Sequence, residues 1–88
     1  MKRILGTITI FTPDRQASAL EMNKILTESG HLIMSRLGVN VQKACQNHCP
    51  GLIVIAVEGE DEKIFALEEK LRDLPELEVK IAVMSEQE

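Results

Sequence analysis

Between residues 4 and 11 apolar side chains alternate with threonine or glycine, and β-branched residues dominate. That two-residue period predicts a strand. It breaks at Thr12, Pro13 and Asp14. Thr12 can cap a helix, Pro13 suits the first helical position, where a missing N–H costs nothing, and Asp14 complements the positive end of the helix dipole. On a 100° wheel Ala19, Met22, Ile25 and Leu26 then share one stripe, with Ser18, Glu21, Lys24 and Glu28 opposite. This predicts a helix with one inward face, ended by Gly30 in a left-handed cap. A second strand is predicted over 32–37, stopping at Gly38, and a third over 52–57, apolar without interruption and therefore covered on both sides. Ile64, Leu67, Leu71 and Leu74 define a second amphipathic helix, which opens on acidic residues and stops at Pro75. A last strand over 78–84 turns Val79, Ile81 and Val83 one way and Glu78 and Lys80 the other, and it runs into a polar tail, 84–88.

The order is βαββαβ. Right-handed crossovers put both helices on the same face of a four-stranded antiparallel sheet, the ferredoxin-like α+β plan. Strands one and three are central in that plan, in agreement with their apolar character; Arg36, Glu78 and Lys80 fall on the other two. Two helices cover only one side of the sheet. Either Leu52, Val54 and Ala56 or Ile53, Ile55 and Val57 must look outward, together with Leu5, Thr7, Thr9 and Phe11 or the opposite set of the first strand. A soluble monomer rarely leaves such a patch wet, which predicts a homo-oligomer, a dimer or tetramer, with sheets face to face or edges paired. Leu20 and Phe65 lie outside the main stripes and extend the surface available for contact.

With 88 residues, the chain 1–88 is expected to form one domain, and 44% hydrophobic and 27% charged residues suffice for a core. A net charge of −4, dispersed basic residues and only two aromatic rings, both Phe, argue against direct nucleic-acid binding. No apolar run reaches membrane-spanning length, and the threonines early in the chain interrupt any signal-peptide pattern. A cytoplasmic protein with reduced cysteines is expected.

The chemistry-bearing residues concentrate in one stretch, "KACQNHCPG". Cys45, His48 and Cys49 stand at i, i+3 and i+4, so one helical turn would point two thiolates and an imidazole to one side, a soft set suited to zinc or iron. A tetrahedral site needs a fourth ligand, which would come from water, His31 or a neighbouring subunit. A Cys45–Cys49 disulfide would close only a small ring, yet could act as a redox switch. The third reading is a long hairpin tip with incidental cysteines. Catalytic patterns are missing: the sequence has no phosphate-binding glycine loop, HExxH or CxxC, and no Ser/His/Asp set in plausible order. Glu58, Glu60, Asp61 and Glu62 are read as capping the second helix, Glu68 and Arg72 as an i, i+4 pair, and His31 as a partner for helix carbonyls.

"RILGTITIFTPDRQ", "LIMSRLGV" and "EDEKIFALEEKLRDLPELEVKIAV" together resemble the iron-only hydrogenase system regulators, small ACT-like domains, over residues 3–84. The resemblance implies a single ACT-like, non-catalytic regulatory or sensing domain without a resident cofactor. It would act through a small-molecule effector or a protein partner, in hydrogenase or other anaerobic metabolism. The alternative is a metal- or redox-responsive module built on Cys45, His48 and Cys49. Relatives have a short basic and aromatic turn where this chain carries "NVQKACQNHCPG". ACT domains bind effectors near the turn from the first strand to the first helix, which corresponds here to Thr12, Asp14 and Arg15. Those residues could hold a carboxylate at a helix N-terminus or simply cap it.

Overall fold

The computed structural model describes residues 2–40, 46–47 and 49–87. Strand β1 (Arg3–Thr12) leads to helix α1 (Arg15–Glu28), and a short 3-10 turn over Gly30–Leu32 leads to β2 (Ile33–Asn40). Then follow β3 (Gly51–Glu60), helix α2 (Asp61–Arg72) and β4 (Glu78–Gln87). The strands lie in the order β2-β3-β1-β4, every pair antiparallel. This is the ferredoxin-like arrangement read from the sequence, with β1 and β3 at the centre.

Alternation along the central strands sets the core. Ile4, Ile8 and Ile10 of β1 and Ile53, Ile55 and Val57 of β3 point to the helices and are buried. From the other side come Met22 and Leu26 of α1 and Ile64, Leu67 and Leu71 of α2, joined by Leu32 and Val79 in one cluster. Each fully buried aliphatic side chain contributes about 1.5–3 kcal/mol relative to exposure. Gly6 belongs to this packing through what it lacks: a Cβ there would lie 2.3 Å from the Ala82 carbonyl oxygen. The close approach falls where the β1–β4 register shifts between Leu5 and Gly6.

Several boundaries differ from the sequence reading. The helix begins at Arg15, with Asp14 as its cap and Pro13 in the bend before it. Thr12 is instead the last residue of β1, opposite Gly51, and its hydroxyl accepts from the Asp14 amide at 3.2 Å rather than from an α1 amide. Gly30 is not a left-handed cap; the helix ends on Ser29 and tightens into the 3-10 turn, which keeps the last carbonyls bonded without positive φ. Gly38 lies inside β2 rather than ending it, because its backbone pairs with Ile53. The polar tail is a strand through Gln87: Ser85, Glu86 and Gln87 pair with Leu5, Ile4 and Arg3 at the start of β1. Glu58 does not cap α2 but forms an ion pair with Arg3 at 2.6 Å. The α2 entrance uses the Asp61 carboxylate, which accepts from the Glu62 amide at 2.7 Å, and the Lys2 carbonyl, which accepts from the Asp61 amide at 2.8 Å. Glu68 and Arg72 do pair, at 2.6 Å.

Candidate functional site

The sequence offers Thr12, Asp14 and Arg15 as one ligand group, and the fold divides them between two sides of α1. On the first side Thr12 and Asp14 line a cleft of about 230 Å³ with Ser18, Glu21 and the turn residues Leu74, Pro75 and Glu76. Their polar atoms serve the turn itself. One Asp14 carboxylate oxygen accepts from the Gln16 and Ala17 amides at 3.0 and 3.2 Å, satisfying donors that every helix start leaves open. The Thr12 hydroxyl lies 3.0 Å from the Asp14 carbonyl oxygen and 2.9 Å from the Ser18 hydroxyl, which itself donates to that carbonyl at 3.1 Å. The geometry is that of a helix cap. Across the cleft Glu76 holds a left-handed backbone, φ 65°, a conformation uncommon for a residue other than glycine.

Arg15 belongs to the second side. Its amide donates to the Cys49 carbonyl at 2.8 Å, and its side-chain methylenes lie on Gly51, where a Cβ would come within 2.5 Å of them. The side chain so placed borders a groove of about 370 Å³ between α1 and the β2–β3 pair, together with Ala19, Met22, Asn23, Arg36 and Gly38. Sequence reasoning missed Arg36 and Asn23 as companions of Arg15. The signal was available in spacing: residues 15, 19 and 23 recur at four-residue steps along α1, and Arg36 and Gly38 share a parity on β2.

Of the proposed metal set, Cys45 and His48 lie outside the described residues. Cys49 is buried, and its sulfur is engaged in a disulfide. A disulfide sulfur is no thiolate, so ligation at Cys49 belongs to the reduced form only. His31 is exposed in the 3-10 turn.

The uncovered side of the sheet resolves the choice that alternation left open. Leu5, Thr7, Thr9 and Phe11 of β1 and Leu52, Val54 and Ala56 of β3 face away from the helices, none of them buried. Register extends this face across the sheet. Val39, Leu52, Phe11 and Glu78 form one row, and Leu37, Val54, Thr9 and Lys80 the next. Ser35, Ala56, Thr7 and Ala82 follow, and then Glu58, Leu5 and Ser85. The face therefore grades from an apolar corner at β2 and β3, where Leu37 is 62% exposed, to a charged end at Arg3 and Glu58. Leu20 and Phe65 are also exposed, on the helix layer.

Residues 3–81 match the model of the TM1266-like family, whose description reads "Iron-only hydrogenase system regulator, putative". The chain belongs to this family. Among solved structures, this family member is similar to the uncharacterized protein TM1266 from Thermotoga maritima, with a TM-score of 0.82, 22% identity, and 94% of this chain and 99% of that one covered. It is also similar to the ACT domain of a GTP pyrophosphokinase from Chlorobium tepidum, at TM-score 0.65, 14% identity, and 94% and 88% coverage. A third likeness is to CPII, a nitrogen regulatory PII-like protein from Thiomonas intermedia K12 bound to ADP, AMP and bicarbonate, at TM-score 0.54, 15% identity, and 96% and 93% coverage. At these identities the likeness is one of fold. No curated protein matches the chain. Among the described residues no helix is long and apolar enough to cross a membrane.

Proposed function

We propose that this regulator-family domain is non-catalytic and works as a homo-oligomer whose copies meet through the open face of the sheet, and that it acts by binding a small effector or a protein partner. The observation that carries the assembly is the apolar corner formed by Leu37, Val39, Leu52, Val54 and Phe11 on two adjacent rows. A second copy is the occupant that every molecule of the chain has available, and a two-fold pairing matches an apolar corner to itself. A binding role rather than catalysis is supported by the family description and by the cap geometry, in which the Thr12 and Ser18 hydroxyls are held by each other and by a backbone carbonyl rather than by a base. The same description supports a place in hydrogenase or other anaerobic metabolism.

Light scattering on the purified chain at micromolar concentration is expected to return a dimer or tetramer. The paired substitution Leu37→Lys, Val54→Lys is expected to give a folded monomer. A parent chain that is monomeric under these conditions refutes the reading.

A second reading, a redox- or metal-responsive loop at Cys45, His48 and Cys49, draws support from the disulfide at Cys49. Its test combines thiol titration with elemental analysis of protein purified without chelator, before and after reduction, against the Cys45→Ser, Cys49→Ser variant. Zinc or iron at one equivalent in the reduced parent alone would support a metal switch, and a reversible change in thiol count without metal a redox one. Free thiols that neither oxidise nor bind metal would eliminate both.

A further inference from the structure

We infer that the groove between α1 and the inner side of β2 is a binding site for a small organic anion with an apolar body. The inference rests on the small-effector half of the proposed function and deepens it; the groove lies on the helix side of the sheet and shares Val39 and Leu52, at its rim, with the apolar corner of the outer face. Its construction follows from the layer geometry. The inner side of β2 carries Arg36, which pairs with Ile55, and Gly38, which pairs with Ile53. A glycine there leaves the floor bare: a Cβ added to Gly38 would have nothing within 4 Å. The helix wall supplies Ala19 and Met22 between two polar positions, Arg15 and Asn23, about 12 Å apart along the axis. The volume, about 370 Å³, lies within the range of small-molecule pockets, which is roughly 300–1,000 Å³.

Charge selects the class of ligand. Two guanidinium groups border the groove, and no carboxylate stands among its described lining residues, in a protein whose net charge is −4. Neither arginine meets a carboxylate among the described residues, whereas Arg3 and Arg72 each have one. Arg36 is steadied by Asn23, whose side-chain oxygen accepts from it at 2.6 Å, and this leaves most of its five donors unused. Arg15 is steadied by its stem on Gly51. Arg15, held by its stem, and Arg36, held through one terminal nitrogen, keep further N–H groups for a carboxylate, phosphate or sulfonate. Ala19, with Val39 and Leu52 at the rim, offers the apolar surface, and Met22 and Ile53 are buried beneath it.

The test titrates the full ¹⁵N-labelled chain with 8-anilinonaphthalene-1-sulfonate and, separately, with its uncharged counterpart N-phenyl-1-naphthylamine. The sulfonate is expected to shift the Gly38 and Gly51 amide resonances saturably, with the neutral compound at least about tenfold weaker there, as the loss of a charge-assisted contact implies. The double variant Arg15→Gln, Arg36→Gln is expected to weaken sulfonate binding about tenfold. Gly38→Val, whose Cβ enters open space, is expected to abolish it while keeping the dispersed spectrum of the fold. The proposal is overturned if the sulfonate moves neither glycine, if it moves only open-face resonances such as Thr9 and Val54, or if both variants bind it as the parent does.

Discussion

The two faces of the sheet are written in the same strands, one residue apart, and they differ in what limits them. Ile55 looks into the helix layer with no exposed surface, while Val54 looks outward from the next position. The inner face is closed by the chain's own helices, so its side chains are fixed by packing. The outer face is free to match whatever comes to it. Two demands on one strand explain why β3 is apolar without alternation: one set of side chains fills the core, and the other forms the apolar outer corner on which the proposed assembly rests.

The contrast has a direct measure. Ile55→Ala is expected to cost about 3 kcal/mol in denaturant unfolding, because it removes a fully enclosed side chain and leaves a cavity. Val54→Ala is expected to cost less than about 1 kcal/mol in dilute protein and to act mainly on the association constant. Equal losses at both positions would mean that the outer face is covered even in the single chain. A smaller effect belongs to the turn beside the sheet. Asp14→Ala removes the acceptor of two α1 amides and is expected to lower stability by about 1 kcal/mol, while Thr12→Ser, which keeps the hydroxyl, loses only the methyl contact. If Asp14→Ala leaves the unfolding midpoint unchanged, the two cap hydrogen bonds contribute nothing to stability.

The order of elements was legible because each period in the sequence had a single reading: isoleucines two apart in β1, and Ile64, Leu67 and Leu71 along α2. Parity was half legible. The outward set on β1 contains Thr7 and Thr9, whose hydroxyls resist burial beneath helices, and that chemistry distinguishes it from the isoleucine set. The start of α1 was not legible, since Thr12 and Asp14 are both competent caps two residues apart. The decision lies in the β1–β3 register, which buries Thr12 opposite Gly51. Gly38 misled for a related reason: a glycine punctuates a loop but also sits comfortably in an edge strand when the neighbouring layer needs room. The polar residues after Met84 concealed a strand because an edge needs backbone pairing on one side only. Arg15 was visible as a candidate, but its neighbour Arg36 was not. Their proximity depends on which side of an edge strand an arginine takes, and this is settled only once β3 pairs with β2.

The Arg3–Glu58 pair sits at one extremity of the outer face, half exposed, where an ion pair contributes little to stability and much hydration is lost if it is sealed. A visitor that dries Leu37 and Val54 while leaving that pair in water must therefore land off-centre, toward the Phe11 and Leu52 end of the strands. The sheet acts as a ramp, and the wet end sets how far anything resting on it can slide.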